Sequence, residues 1–333
     1  MAERPEWNHV LTDAERAELL DLLGGLQEPG STIPPGKRPW DAWSSKDVPL
    51  PDLAARLKRI QLELEDGAGV ARVRGFPSEG LNPTEVRALY WAFSLHLGTA
   101  VSQSAAGEKI FSVRDAGFSA EDPRSRGPNT ARKLSFHTDR GDVTGFLCLQ
   151  SAKSGGDNEI ASSMAVYNAV LERRPDLIPV LMNPFYYLRH TVDQGNDQPW
   201  CLQPVFSFTD GHFACCLLRV LIERAHGDPR LPDLTPDQID ALDLVEAVAE
   251  EGETHLQFRQ EAGDLIFINN WTVLHRRASF VDHAEPELRR HILRTWLSMP
   301  NSRPLDPTFR ENWGAVEPGA VRGGMRPAAK PSP

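Results

Sequence analysis

Long apolar runs are missing from this sequence: no stretch of its 333 residues approaches the roughly 18 or more that a membrane-spanning helix needs. The opening Met1-Ala2-Glu3-Arg4-Pro5-Glu6 also lacks the apolar core of a secretory signal, so a cytoplasmic address is expected. Basic charge is short as well. Lys and Arg number 36 against 46 Asp and Glu, a net charge of -10. That balance argues against nucleic acid, whose phosphates need a clustered basic surface. Cysteine is scarce, and Cys148, Cys201, Cys215 and Cys216 show no CxxC or other zinc-like spacing. Buried free thiols are the expected state. No internal repeat and no break in composition divides the chain, which reads as one domain over 1–333, with a core from about 69 to 300. Residues 1–68 form a helical and proline-rich extension, and the Gly, Pro and Ala of 319–333 predict a mobile tail.

What the chain does contain is punctuation for many short elements. Thr12-Asp13-Ala14-Glu15 is a capping-box pattern ahead of leucines at helical spacing. Prolines at 29, 34, 35, 39, 49 and 51, with Trp40 and Trp43, break up the connector that follows. Helices are predicted over 51–64 and from Asn82-Pro83-Thr84-Glu85 to about Leu97, with a strand over 69–75 between them. From Val101 to Lys133 periodicity disappears, which suggests a long loop that could cover a site. Strand signals dominate later, including a hairpin around Thr209-Asp210-Gly211 and a strand over 265–269. Short strands with helices ahead of and between them predict an α+β fold with a mainly β core, a double-stranded β-helix (cupin-like jelly roll) decorated with helices.

Chemistry concentrates at Ser135-Phe136-His137-Thr138-Asp139. In an extended segment, residues two apart share a face, so the His137 imidazole and the Asp139 carboxylate can close on one metal ion. The third ligand is sought downstream, and His275, just after the strand over 265–269, is the best placed. Two histidines and a carboxylate form the facial triad of non-haem Fe(II) oxygenases, with positions left open for cosubstrate and O2. A second His-x-Asp, His226-Gly227-Asp228, precedes Pro229 after a helical run and reads as a helix-end loop. The terminal strand adds a further signal. Its alternation puts Arg290, Ile292, Arg294 and Trp296 on one face, and buried arginines require anions. A guanidinium grips a carboxylate bidentately, so an arginine here suits a dicarboxylate chelating the metal at its other end. The competing reading turns this face to solvent.

These motifs together resemble the taurine dioxygenase-like (TauD/TfdA) family of Fe(II)- and 2-oxoglutarate-dependent dioxygenases. The likeness rests on Phe136-His137-Thr138-Asp139, Leu147-Cys148-Leu149 through Gly155-Gly156, Gly263-Asp264 through Asn270, Val273-Leu274-His275, and Arg289-Arg290 through Arg294-Thr295-Trp296. It implies His137, Asp139 and His275 as iron ligands, Arg290 on the distal carboxylate of 2-oxoglutarate, and Arg294 toward an anionic group of the substrate. The family's threonine after the Gly-Gly turn aligns with Ala161, leaving Ser162 or Ser163 to assist the cosubstrate. Arg140 follows the metal motif where many relatives have glycine and is a candidate substrate contact. Gln103, Arg114, Phe185 and Tyr187 are further pocket candidates. The implied reaction hydroxylates a small anionic or zwitterionic molecule and decarboxylates 2-oxoglutarate to succinate and CO2, with desaturation, epoxidation or cyclisation as other outcomes. Two rivals remain open on the sequence: a jelly-roll protein that binds metal without turnover, and a zinc hydrolase on the same ligands. A homo-oligomer is also possible.

Overall fold

The computed structural model describes residues 7–24, 40–118, 127–190, 193 and 195–326. Pro29, Pro34, Pro35 and Pro39 of the connector, Arg124 and Arg126 of the aperiodic segment, and 327–333 of the tail lie outside them.

Helix starts follow the sequence closely. Thr12 and Glu15 exchange the two capping-box bonds, and Asn82 with Glu85 and Thr235 with Gln238 do the same behind a first-turn proline. Each box satisfies backbone N–H groups that have no partner inside the helix. The Asp210-Gly211 turn joins Phe206–Thr209 to His212–Cys215, both turn residues at positive φ (49° and 80°). Such a two-residue turn has the right-handed twist of its strands.

Two sheets face each other as a jelly roll. The larger has seven strands, in the order Asn8–Val10, Val70–Arg74, Leu265–Asn269, Val143–Gln150, His291–Ser298 and Thr99–Val101, with Ile110–Val113 also on His291–Ser298. The smaller runs His255–Phe258, Asn158–Ser162, Val273–Arg277. Period-two alternation sorts their side chains. Ile266 and Ile268 turn inward onto Ile160 and Val273, while Leu265 and Phe267 pack outward under the helices Asp13–Gly24, Ala54–Asp66 and Pro83–Leu95. On the other side, Ala161 and Leu274 point away from the roll, into the core built with Ser163–Arg173 and Pro236–Ala249. Among the described residues no helix is long and apolar enough to cross a membrane. All four cysteines are free and buried.

Two regions differ from the sequence reading. The segment 101–133 contains a real strand, Ile110–Val113, that pairs with Ile292–Thr295; tertiary pairing creates it where local periodicity is weak. The described part of the tail is packed instead of loose. Arg322 is 2% exposed and Met325 5%, because a buried carboxylate, Asp142, takes the Arg322 guanidinium at 2.7 Å.

His9, on the edge strand, is buried with an unpartnered Nε2. Burial, then Arg56 and Arg59, push its pKa down to about 4. Since the unfolded chain takes up this proton near pH 6.5 and the fold only near 4, stability is lost as pH falls through that window. Urea unfolding at pH 5 is expected to show about 1–2 kcal/mol less stability than at pH 7 from this residue. A His9→Gln variant with an unchanged pH slope would remove His9 from the account.

Candidate active site

The smaller sheet acquires a fourth member locally: His137 and His275 exchange two backbone hydrogen bonds of 3.0 Å as an antiparallel bridge. That pairing brings the two rings to 4.5 Å between centroids. Asp139, two residues on, presents its carboxylate 3.6 Å from His275 Nε2. One donor atom from each of His137, Asp139 and His275 lies within 4.8 Å of the others, the one such cluster among the described residues. His226, by contrast, bonds the Pro232 carbonyl and Asp228 pairs with Arg230, so the second His-x-Asp is spent locally.

Supporting contacts orient His137 and Asp139. His137 Nδ1 sits 2.9 Å from the Ser135 carbonyl; as donor there it leaves the Nε2 lone pair free for a metal. Asp139 receives Thr144 Oγ1 at 3.0 Å, and its N–H donates to Asn270 Oδ1 at 2.9 Å. Both ring nitrogens of His275 are buried without a hydrogen-bond partner. Buried polar atoms are normally satisfied, and a bound cation would satisfy one of these. Two neutral imidazoles and a carboxylate are the donor set that suits Fe(II).

Electrostatics keep His137 and Asp139 in their metal-binding forms. Burial and the neighbouring His275 push His137 down to about 4. Burial alone would raise Asp139, but Arg294 and the two imidazoles outweigh it and hold the carboxyl well below its usual range.

The cluster opens into a cavity of about 630 Å³. Arg290, Ile292, Arg294 and Trp296 all line it, so the terminal strand faces inward. At roughly 6.6 Å per pair of residues, this strand spans the cavity from Arg290, past Arg294 beside Asp139, to Trp296. Nine lining residues are Arg or Lys, and Asp139 is the only acid among the described lining. Most of these cations already have partners: Arg276, on the outer face of its strand, pairs with Glu159 and Glu250. Arg290 has no side-chain hydrogen bond; its guanidinium lies over the Phe280 ring at 5.3 Å. Burial lowers its pKa to about 10.

Several candidates sit elsewhere than the sequence suggests. Arg294 is occupied: its Nε donates to Gln103 Oε1 at 2.7 Å and its Nη1 lies 3.3 Å from Asp139. Gln103 lines the cavity but its amide is used on the Arg294 and Lys109 carbonyls. Arg140 leaves the cavity lining because Asp193 and the Asn312 carbonyl hold it. Tyr187 is buried and donates to the Cys216 carbonyl at 2.8 Å, Arg114 is exposed against His291, and Phe185 is core. Ser162 and Ser163 also miss the cavity. Register explains it: Ser162 pairs with Val273, at the end of the strand opposite to Asn158, which pairs with Arg277. Ser162 caps the next helix by accepting from the Ala165 N–H, Ser163 is fully buried, and Ala161 faces outward. Asn158 lines the cavity instead, as does Arg277. Counting by twos from His275 would have flagged Arg277.

Comparisons with known proteins agree with this geometry. The family model described as taurine catabolism dioxygenase TauD, TfdA family matches residues 32–296. FR-33289 synthase of Streptomyces rubellomurinus is 30% identical over 98% of this chain and 93% of its own. The taurine hydroxylase-like protein SAT17 of Stachybotrys chartarum is 28% identical, over 85% of this chain and 73% of its own. Among solved structures, asparagine oxygenase with Fe(II), 2S,3S-3-hydroxyasparagine and succinate superposes with a TM-score of 0.66 at 16% identity, covering 88% of this chain and 93% of that one. The non-haem iron oxygenase OrfP with Fe and alpha-ketoglutaric acid gives 0.59 at 17% identity, covering 87% and 94%. These last two share the fold. With the family model matched over most of its length, the chain belongs to the TauD, TfdA family and is a non-haem Fe(II)- and 2-oxoglutarate-dependent oxygenase.

Proposed function

We propose that this oxygenase hydroxylates an unactivated C–H bond of a small anionic or zwitterionic molecule, with His137, Asp139 and His275 holding Fe(II) and Arg290 anchoring the distal carboxylate of 2-oxoglutarate. The observation that carries the reading is the juxtaposition of the three donor groups with a buried guanidinium that makes no ion pair among the described residues, four residues up the strand from the arginine at Asp139. The described lining offers no acid but Asp139 to receive a cationic substrate, which supports an anionic or zwitterionic one. FR-33289 synthase, at 30% identity, supports a place in natural-product oxidation.

Bound iron supplies dioxygen activation coupled to decarboxylation of 2-oxoglutarate to succinate and CO2. This chain's residues set the geometry. Arg290 fixes one end of the cosubstrate, and Asp139 and the two histidines would hold the iron that takes the other. Leu218, Leu221, Trp296 and Met325 give the cavity an apolar wall that excludes water from the substrate. Gln103 holds Arg294, and Arg294 holds the Asp139 carboxylate. Both are therefore positioning groups.

The test is succinate release from 2-oxoglutarate by Fe(II)-loaded protein, screened against amino acids, their derivatives and sulfonates. One or more anionic or zwitterionic compounds are expected to stimulate release and to gain one oxygen atom, and His137→Ala is expected to lose at least about 1,000-fold of that activity, a barrier change of roughly 4 kcal/mol. Stimulation only by neutral or cationic compounds would defeat the substrate assignment, and full activity in His137→Ala the ligand assignment.

A further inference from the structure

Arg277 carries a second buried charge that the iron ligands leave unused. It lies two residues beyond His275, so alternation turns both into the cavity. Its Nη2 donates to the Arg132 carbonyl at 2.5 Å, while Nη1 is buried with no hydrogen-bond partner. Its guanidinium carbon sits 4.7 Å from the centre of the Phe280 ring, the ring that also carries Arg290 at 5.3 Å. Two buried guanidinium groups thus share one phenyl ring, and neither is ion-paired to a described acid.

The surroundings place both at one corner. Gly156, at φ +76°, is so close that a Cβ there would lie 3.3 Å from Phe280 Cβ and 3.5 Å from Arg290 Nε. Two residues on, Asn158 pairs in register with Arg277 and faces the cavity. The cover segment is fastened here as well: the Leu134 N–H donates to the Arg277 carbonyl and the Phe280 N–H to the Ala131 carbonyl. Trp296 and Met325 lie past the metal cluster, at the other end of the terminal strand.

We propose that Arg277 is a second guanidinium for the distal carboxylate of 2-oxoglutarate, closing with Arg290 a two-arginine clamp beside Asn158. This rests on the assignment of Arg290 to that carboxylate. A like-charged buried pair is unfavourable when empty, and a carboxylate has enough lone pairs to accept from two forks at once. Substrate binding beyond the metal would leave this corner uncompensated.

The experiment is calorimetric titration of anaerobic Fe(II)-loaded protein with 2-oxoglutarate and, separately, with 2-oxobutyrate, which has the chelating end and no distal carboxylate. Arg277→Gln is expected to weaken 2-oxoglutarate about 10- to 100-fold and 2-oxobutyrate less than about twofold. Arg277→Lys, which restores charge without the fork, is expected to recover part of the loss. Equal losses for both acids, or unchanged 2-oxoglutarate affinity, would overturn the clamp; the Lys variant keeps the comparison available should Gln unfold the corner. Arg290→Gln separates the two assignments. If it binds 2-oxoglutarate like the parent protein, the reading of Arg290 fails, whatever Arg277 does.

Discussion

Changing Arg322 to Met is expected to cost about 3–5 kcal/mol of folding free energy, among the largest effects of any single substitution outside the apolar core. The arginine side chain is fully buried and so is that of Asp142, its partner at 2.7 Å. Asp142 also receives Trp271 Nε1 at 2.8 Å and the Met299 N–H at 2.9 Å, while Arg322 Nη2 donates to the Arg303 carbonyl at 2.9 Å. Removing one partner strands the other charge without water, which is why breaking such a pair costs more than the pair is worth intact. The effect reaches the site. Asp142 is three residues past Asp139, and the glycines after Arg322 strap across the same segment, with the Gly324 N–H on the Arg140 carbonyl at 2.7 Å. Urea unfolding of Arg322→Met, Asp142→Asn and the double variant checks this: the double variant is expected to lose clearly less than the two losses added. A loss under about 1 kcal/mol in Arg322→Met would mean that the tail is not a structural strap.

The strap was invisible in the sequence for a physical reason. Gly323, Gly324 and the prolines beyond have the composition of a mobile tail, and only the distant Asp142 makes Arg322 a buried residue. Features set by period were legible. The shared face of Arg290, Ile292, Arg294 and Trp296, the joint facing of His137 and Asp139, and the capping boxes depend on neighbours in sequence, and each is found where the spacing puts it. Features set by partner choice were not. Arg140 and Arg294 read as free cations until Asp193, Gln103 and Asp139 are seen to hold them. Ser162 and Ser163 are misplaced by register: Ser162 pairs with Val273 at one end of its strand, whereas Asn158, opposite Arg277 at the other end, lines the cavity.

Replacing Asp139 by Asn is expected to weaken Fe(II) binding more than about 100-fold, beyond the roughly 10- to 100-fold that an outer contact is worth. The two side chains have the same shape, so the loss isolates charge. In the native site the carboxyl stays ionised although it is buried, because Arg294 and the imidazoles outweigh desolvation. The amide can still accept from Thr144 Oγ1, 3.0 Å away, yet it offers a dication no negative charge, and Arg294 is left buried with Gln103 as its neutral partner. Asn270→Ala makes the graded comparison. It removes the acceptor of the Asp139 N–H and the donor to the Gly141 carbonyl, keeps all three ligands, and is expected to fall within the outer-contact range. Anaerobic titration with Fe(II), with thermal melts to confirm folding, orders the three proteins. Parent-like affinity in Asp139→Asn would remove the carboxylate from the coordination sphere, and a larger loss in Asn270→Ala than in Asp139→Asn would mean that backbone placement, more than charge, builds the site.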